Sequence, residues 1–330
     1  MFSKIYSKIK EIIRENLFLI ISSLIVVVVF NIPIPYYIEA PGGLINLDDK
    51  VKVSNGYDSK GSLNLTYVST YDGSIATYIM AKLNKSWDLV PNDDVTLENE
   101  DMDDVKKRNK IMLENSISNA YYVAYTYLKK DLKINSSNLY VVYVDENADT
   151  DIKVGDKIVK IDDKAVNKVD DIKKYIQTKN VGDVLKVIVN DGEEKYITVS
   201  NIDNKKSILI YAVCNYDYDS DIEFNFNNGE SGPSGGLMLS LSIYDKNTSV
   251  DLTKGKVVSG TGTIDINGNV GEISGIKYKI IGAVKKNADV FLVPYENYEE
   301  AKEVVKNNNY NIKLVCVKTF NEALNYLLNN

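Results

Sequence analysis

Histidine is absent from this chain of 330 residues. That absence removes every Ser-His-Asp triad, every Cys-His pair and every His-ligated metal. Chemistry must therefore run on Ser, Thr, Lys, Tyr or carboxylates. Cysteine is scarce as well. Cys214 and Cys316 stand far apart without metal-type spacing, so no metal site is expected. Each lies in an apolar, strand-like run, Ile208 to Cys214 and Ile312 to Val317. Buried thiols fit those runs better than a disulfide, which an extracytoplasmic setting would still permit. A GxxxxGK[ST] phosphate loop is missing, so neither ATP nor another cofactor is expected. Positive charge is in deficit: 39 Lys and Arg face 46 Asp and Glu, for a formal charge of −7. No basic patch follows the N-terminal stretch, which argues against nucleic acid as a partner. What is present, 44% apolar and 26% charged residues, supports a true core and two or three domains.

Asn16 to Ile38 carries no charge, and Leu17 to Phe30 is its densest apolar part. Extended to Ile34, the run reaches the roughly 20 residues of a membrane span. Lys4, Lys8, Lys10 and Arg14 precede it, and Tyr36 and Tyr37 follow it like interfacial anchors. The expectation is a cytoplasmic N-terminus over 1–14, a transmembrane helix over 15–35 and an extracytoplasmic remainder, in a single-pass cell-membrane protein. A cleaved signal peptide fits less well. Its best site, Ala40, has Ile38 at −3 and Pro41 directly after it. A buried core helix is disfavoured by the one-sided basic flank.

Further along, Val51-Lys-Val and Leu63 to Val68 alternate like strands. From Asp103 the spacing becomes helical: Ile111, Ser118, Ala120, Val123, Ala124, Tyr127 and Leu128 include the i, i+3, i+4 spacings of a buried face, and Lys129, Lys130 and Lys133 follow. Residues 136–200 read as a separate small unit. It holds a strand at Leu139 to Val144, a helix near Val169 to Gln177, and strands at Val184 to Val189 and Lys195 to Val199 joined by Asn190-Asp191-Gly192. Gly155-Asp156 followed by Ile158, Val159, Ile161 and Val166 makes this stretch resemble a bacterial-type PDZ domain. The resemblance implies binding of extended peptides along a sheet edge. Ser136-Ser137-Asn138 lacks the glycine-rich carboxylate-binding signature, and a spacer without a ligand is the alternative.

Gly232-Pro233-Ser234-Gly235-Gly236 feeds an apolar helix, so Ser234 sits at or just before a helix N-terminus. The plain reading is an N-cap. The same position also suits a nucleophile, because backbone N–H groups and the positive helix end stabilise a nearby oxyanion. Without histidine the serine needs another base, and a desolvated lysine can serve. Lys277 and Lys279 both flank the stripe of Ile276, Ile280 and Ala283, and helical angles leave either open.

Gly232-Pro-Ser-Gly-Gly-Leu237 resembles the nucleophile motif of Lon-family proteases. Thr261-Gly-Thr-Ile, Gly268-Asn-Val-Gly and Ser274 to Lys279 resemble the second Lon segment, which holds the catalytic lysine. The resemblance implies Ser234 as nucleophile, Lys279 rather than Lys277 as base, Thr261 as the hydroxyl that bonds the lysine, and Gly232, Pro233 and Gly235 as supporting residues. Gly235 stands where the family usually has alanine, and Ser231 where many ATP-dependent members are acidic. Ala288 to Asn297 matches the strand and turn after the lysine helix. Gly61 to Thr66 and Ile111 to Ala120 look like the opening strand and helix of the same fold.

Together these features resemble the membrane-anchored PDZ Lon-like proteases of bacteria (YlbL-type). The implied fold class is α+β. An N-terminal transmembrane helix precedes a Lon-type proteolytic domain (ribosomal protein S5 domain 2-like) that a PDZ domain interrupts. The domain parts fall at 36–135, 136–200 and 201–330. The implied function is an ATP-independent serine endopeptidase acting on peptide or protein substrates, extracytoplasmic peptides or membrane-protein segments among them. A homo-oligomer is compatible with the family. Three rivals differ in class: an inactive membrane-held PDZ adaptor, an HtrA-type protease, which would need histidine, and a purely structural envelope protein.

Overall fold

The structure, a computed structural model, describes residues 2–97 and 100–330. The chain forms two compact units, Met1–Pro41 with Ser69–Val95, and Gly42–Val68 with Thr96–Asn330. The smaller unit opens with two helices of 14 residues each, α1 (Phe2–Glu15) and α2 (Leu17–Phe30). Among the described residues no helix is long and apolar enough to cross a membrane. This overturns the transmembrane helix expected over 15–35, and with it the single-pass, extracytoplasmic placement. The reason is length. At 1.5 Å per residue, 14 residues reach about 21 Å, against a hydrocarbon core of roughly 30 Å.

Helical geometry ends at Asn31, and Pro33, with no N–H to donate, opens strand β1 (Pro33–Asn46). Ile34, Tyr36 and Tyr37, expected at the outer membrane interface, are thus strand residues. The side chain of Lys4 lies outside the described residues, and Lys8, Lys10 and Arg14 are exposed. The end of β2 (Ser62–Ser74) leads into α3 (Ile75–Leu83), where Ser74 and Thr77 form a reciprocal capping box. Strand β3 (Asp88–Pro91) pairs antiparallel with β1 from Tyr36 to Glu39.

The larger unit is built on helix α4 (Met102–Leu128). Asp101 caps it by accepting from the N–H groups of Asp103 and Asp104, and Lys129 ends it in the left-handed region at φ 55°. A small antiparallel sheet follows, from β4 (Ile134–Val144), β5 (Lys157–Ile161), β6 (Val184–Val189), β7 (Glu193–Thr198) and β8 (Ile210–Tyr218). Its order is β8-β4-β5-β6-β7. Helix α5 (Val169–Gln177) buries Ile172 and Ile176 against Leu139, Ile158, Ile161, Leu185 and Ile197. Beyond residue 200 the sheet also takes in β8, whose Cys214 lies opposite Leu139.

Next come α6 (Gly236–Lys246), β9 (Val257–Gly260), the β10 (Thr263–Ile264) and β11 (Val270–Gly271) hairpin, α7 (Ile276–Lys285), β12 (Val290–Pro294), α8 (Tyr298–Asn307), β13 (Lys313–Val317) and α9 (Phe320–Asn329). Strands β2, β9, β12 and β13 lie side by side and parallel. Parallel strands are covered on both faces, and Val290 to Val293 are accordingly all buried. Helix α6 is buried along nearly its whole length, Ser240 and Ser242 included, and its Leu237, Leu239 and Leu241 share one core with Ala120 and Val123 of α4 and with Leu292 of β12. Both cysteines are free and partly buried. Burial pushes each thiol above its ordinary value.

Candidate active site

Ser234 lies in the turn that opens α6. The cap position falls one residue later, on Gly235, so the N-cap role considered for the serine goes to a residue with no side chain. Among the described residues the Ser234 hydroxyl makes no hydrogen bond, and the serine is held through its backbone instead. Its carbonyl accepts from the Gly262 N–H at 2.8 Å and from the Thr261 hydroxyl at 3.1 Å. Gly232 stands at φ +95°, a left-handed conformation that glycine adopts without strain, and its N–H donates to Asn109 O at 2.9 Å. The Pro233 carbonyl accepts from the Ser116 hydroxyl at 3.1 Å.

Gly236 is required by space. A Cβ there would lie 2.6 Å from Ile264 Cγ2 and 2.9 Å from Ser116 Oγ. At Gly235, where the resembling family usually has alanine, a Cβ would come 3.0 Å from a Leu65 methyl, a neighbour that must give slightly.

The second half of the site comes from the end of β9 and from α7. Thr261 is fully buried and follows β9 directly. Its N–H donates to Leu292 O at 3.1 Å, which fixes it against β12. Helix α7 begins after Gly275 at φ +71°, where a Cβ would meet Val68 Cγ2 at 2.8 Å. Asn297 clamps the approach to that helix, accepting from the Ile273 N–H and donating to the Ile273 carbonyl, each at 2.9 Å.

One turn into α7, Lys279 is 4% exposed and its Nζ donates to Thr261 Oγ1 at 3.2 Å. Lys277 is only partly buried, and its Nζ lies 5.4 Å from the centre of the Tyr278 ring. Of the two lysines, then, Lys279 is the one that meets Thr261. The Thr261 hydroxyl has one proton, directed at Ser234 O, so toward Lys279 it acts as acceptor. The contacts join Ser234, Thr261 and Lys279 in a single chain of hydrogen bonds through the serine carbonyl.

Several supports escape sequence reading: Asn109, Ser116 and the side chain of Asn119, which donates to Ile264 O at 3.1 Å. Ser116 falls in a segment with family resemblance, but its contact partner is more than a hundred residues away in sequence. Among the described residues no group of His, Cys, Asp and Glu could hold a metal ion.

The Lon protease (S16) C-terminal proteolytic domain family matches residues 148–330. The Lon protease of Campylobacter jejuni is 31% identical over 154 residues, 44% of this chain and 18% of its own length. Lon protease 2 of Bacillus subtilis is 32% identical over 114 residues, 34% of this chain and 20% of its own length. The chain thus spans a fifth or less of the length of the curated relatives it matches, 20% of one and 12% of another. Among solved structures, the PDZ domain of an SdrC-like protein from Listeria monocytogenes is 29% identical, with a TM-score of 0.23, covering 24% of this chain and 93% of that one. The family match covers more than half of the chain, including α6, Thr261 and α7; the chain belongs to the Lon protease (S16) proteolytic-domain family, whose members are serine peptidases.

Proposed function

We propose that the chain is an ATP-independent serine endopeptidase in which Ser234 is the nucleophile and Lys279 the general base. The observation that carries this reading is the contact chain from the Ser234 carbonyl through Thr261 Oγ1 to Lys279 Nζ, with Thr261 and Lys279 both buried. Neutral Lys279 takes the Ser234 proton as the serine oxygen attacks a peptide carbonyl carbon. The resulting ammonium returns that proton to the leaving amine as the C–N bond breaks, leaving an acyl-enzyme. Water, deprotonated by the same lysine, then releases the acid and restores Ser234.

Thr261 orients the amine by accepting one N–H, which aims the lone pair away from itself. The N–H groups of Ser234 and Gly235 have no backbone acceptor among the described residues, and they sit at the positive end of α6. They are the proposed oxyanion donors. The dyad requires a direct Ser234–Lys279 hydrogen bond in the substrate complex, and such catalytic bonds are often long in the free enzyme.

The small sheet is proposed as a PDZ-type docking unit for extended peptides. Strand β8 ends that sheet, and a cavity of about 600 Å³ opens beside its first residues. Lys173, Lys174, Lys205 and Lys206 line it together with Ile202 and Leu209, and Asp203 is the one acid among the lining residues. Such a lining favours acidic segments that also offer an apolar side chain.

The test is incubation of the purified chain with a diverse peptide mixture in the absence of ATP, with products identified by mass spectrometry. Cleavage by the wild type that disappears in Ser234→Ala and in Lys279→Ala is the expected result. Full activity in Lys279→Ala refutes the dyad.

A further inference from the structure

Helix α4 presents a run of polar side chains, Asn115, Ser116, Ser118 and Asn119, to two different parts of the larger unit. One is strand β8, at the edge of the small sheet. Asn115 Nδ2 donates to Cys214 O and to Asn215 Oδ1, each at 3.0 Å, and the Tyr216 N–H donates to Ser118 Oγ at 3.0 Å. The other is the seat of the nucleophile. Asn119 Nδ2 donates to Ile264 O at 3.1 Å, and Ser116 Oγ to Pro233 O at 3.1 Å. Asn119 Nδ2 also donates to Asn115 Oδ1 at 3.3 Å, which joins the two sets.

Proton counting fixes the direction of this relay. An amide nitrogen has two protons. Those of Asn115 go to Cys214 O and Asn215 Oδ1, and those of Asn119 go to Asn115 Oδ1 and Ile264 O. Neither amide can flip without turning an oxygen toward carbonyl or amide oxygens. Ile264 O is therefore held at one position relative to β8. Ile264 in turn packs against Gly236, where no side chain fits, and it lies two residues after Gly262, whose N–H holds Ser234 O.

We propose that Asn119 is a positioning residue for Ser234, and that Asn115 orients it, so that the small sheet's edge strand sets the geometry of the nucleophile. This rests on the peptidase reading above. Neither asparagine reaches a reacting atom. Their effect passes through Ile264 and the turn at Gly262, so it belongs to the alignment of the nucleophile and not to the binding of substrate.

The experiment measures kcat and KM on a peptide cleaved by the wild type, with thermal melts of every variant. Asn119→Leu removes both donors at similar volume. Asn119→Asp keeps the shape and sets a carboxylate oxygen against Ile264 O. Both are expected to lower kcat by about tenfold to a hundredfold, the range for a displaced reacting group, with KM within about threefold and melting unchanged to within a few degrees. Asn115→Leu lowers kcat less, because the Ile264 bond survives. The Asn115→Leu, Asn119→Leu double variant is no worse than Asn119→Leu alone, as expected for residues acting in one relay. Lys110→Ala, exposed on the same helix, serves as the unchanged control. Wild-type kcat in both Asn119 variants, or a loss that follows KM or melting instead, overturns the inference and leaves the peptidase reading standing. A wild type that cleaves nothing, alongside inert Ser234→Ala, overturns both.

Discussion

At the scale of single residues, the site depends on backbone conformations and a few hydroxyls. Thr261 is the sharpest case. It is fully buried, donates to Ser234 O and accepts from Lys279 Nζ. Thr261→Val keeps the volume and removes both bonds, leaving the Ser234 carbonyl with one donor and the lysine amine without its orienting acceptor. Loss of a single preorganised polar contact costs about tenfold to a thousandfold in rate. The expectation is a fall in kcat within that range with little change in KM, read by steady-state kinetics.

Gly232 tests conformation alone. At φ +95° a Cβ would meet nothing within 4 Å, so Gly232→Ala adds strain without a clash. Holding an L-residue in that region costs about 1–2 kcal/mol, and denaturant unfolding should report a loss of that size. These residues were legible to different degrees. Ser234 and Lys279 stand in motifs that the sequence displays, whereas Ser116, Asn119 and Asn297 act through bonds to residues distant in sequence that no local pattern announces. Helical angles leave Lys277 and Lys279 open, and only the resemblance to the Lon motif picks Lys279; periodicity cannot show which of two lysines flanking an apolar stripe is buried, because that depends on what packs against the helix.

At the scale of elements, periodicity carried most of the information. The α4 pattern, α5 and the β6–β7 hairpin all lie close to where alternation and turn residues put them. The N-terminal run failed for a specific reason. Hydropathy counts apolar residues but not where a helix stops, and the chain breaks at Asn16 and again before Pro33. Strand β8 overlaps the strand-like run Ile208 to Cys214, but its place beside β4 was hidden because that partner is more than sixty residues earlier.

Within the small sheet, the turn after β5 offers a pH test. Asp162 stands at φ +51° and accepts from Tyr175 Oη at 2.7 Å, Lys179 Nζ at 2.9 Å and the Lys186 N–H at 3.0 Å. Burial works to raise its carboxyl, but these bonds outweigh burial and hold it below its usual value. A depressed carboxylate contributes stability that is complete above the unfolded value, near 4, and is lost as pH falls through the native one. Asp162→Asn tolerates the left-handed turn and cannot ionise. Its stability difference from wild type should therefore be largest at neutral pH and shrink below about pH 4, as measured by urea unfolding followed by circular dichroism.

At the scale of the whole molecule, charge separates binding from chemistry. The chain as a whole carries −7, so acidic peptides are repelled from most of its surface. The cavity beside β8 is an exception, with four lysines and one aspartate along its lining. Lys206 has a structural task there, since its Nζ donates to the Gln177 carbonyl at 3.1 Å and to the Lys179 carbonyl beyond the end of α5. Lys173, Lys174 and Lys205 are exposed and can be reversed without breaking that cap.

The triple variant Lys173→Glu, Lys174→Glu, Lys205→Glu should raise KM for acidic peptides by about tenfold at low salt, with the difference narrowing toward 0.5 M salt as screening grows. It should leave kcat unchanged, because Ser234, Thr261 and Lys279 are untouched. Neutral and basic peptides should gain or hold affinity in the same variant. A matched peptide series that differs only in net charge, read as kcat and KM separately, checks this. An equal change in KM across the series would show that the cavity does not select by charge, and a fall in kcat would show that the lysines act on the nucleophile's geometry.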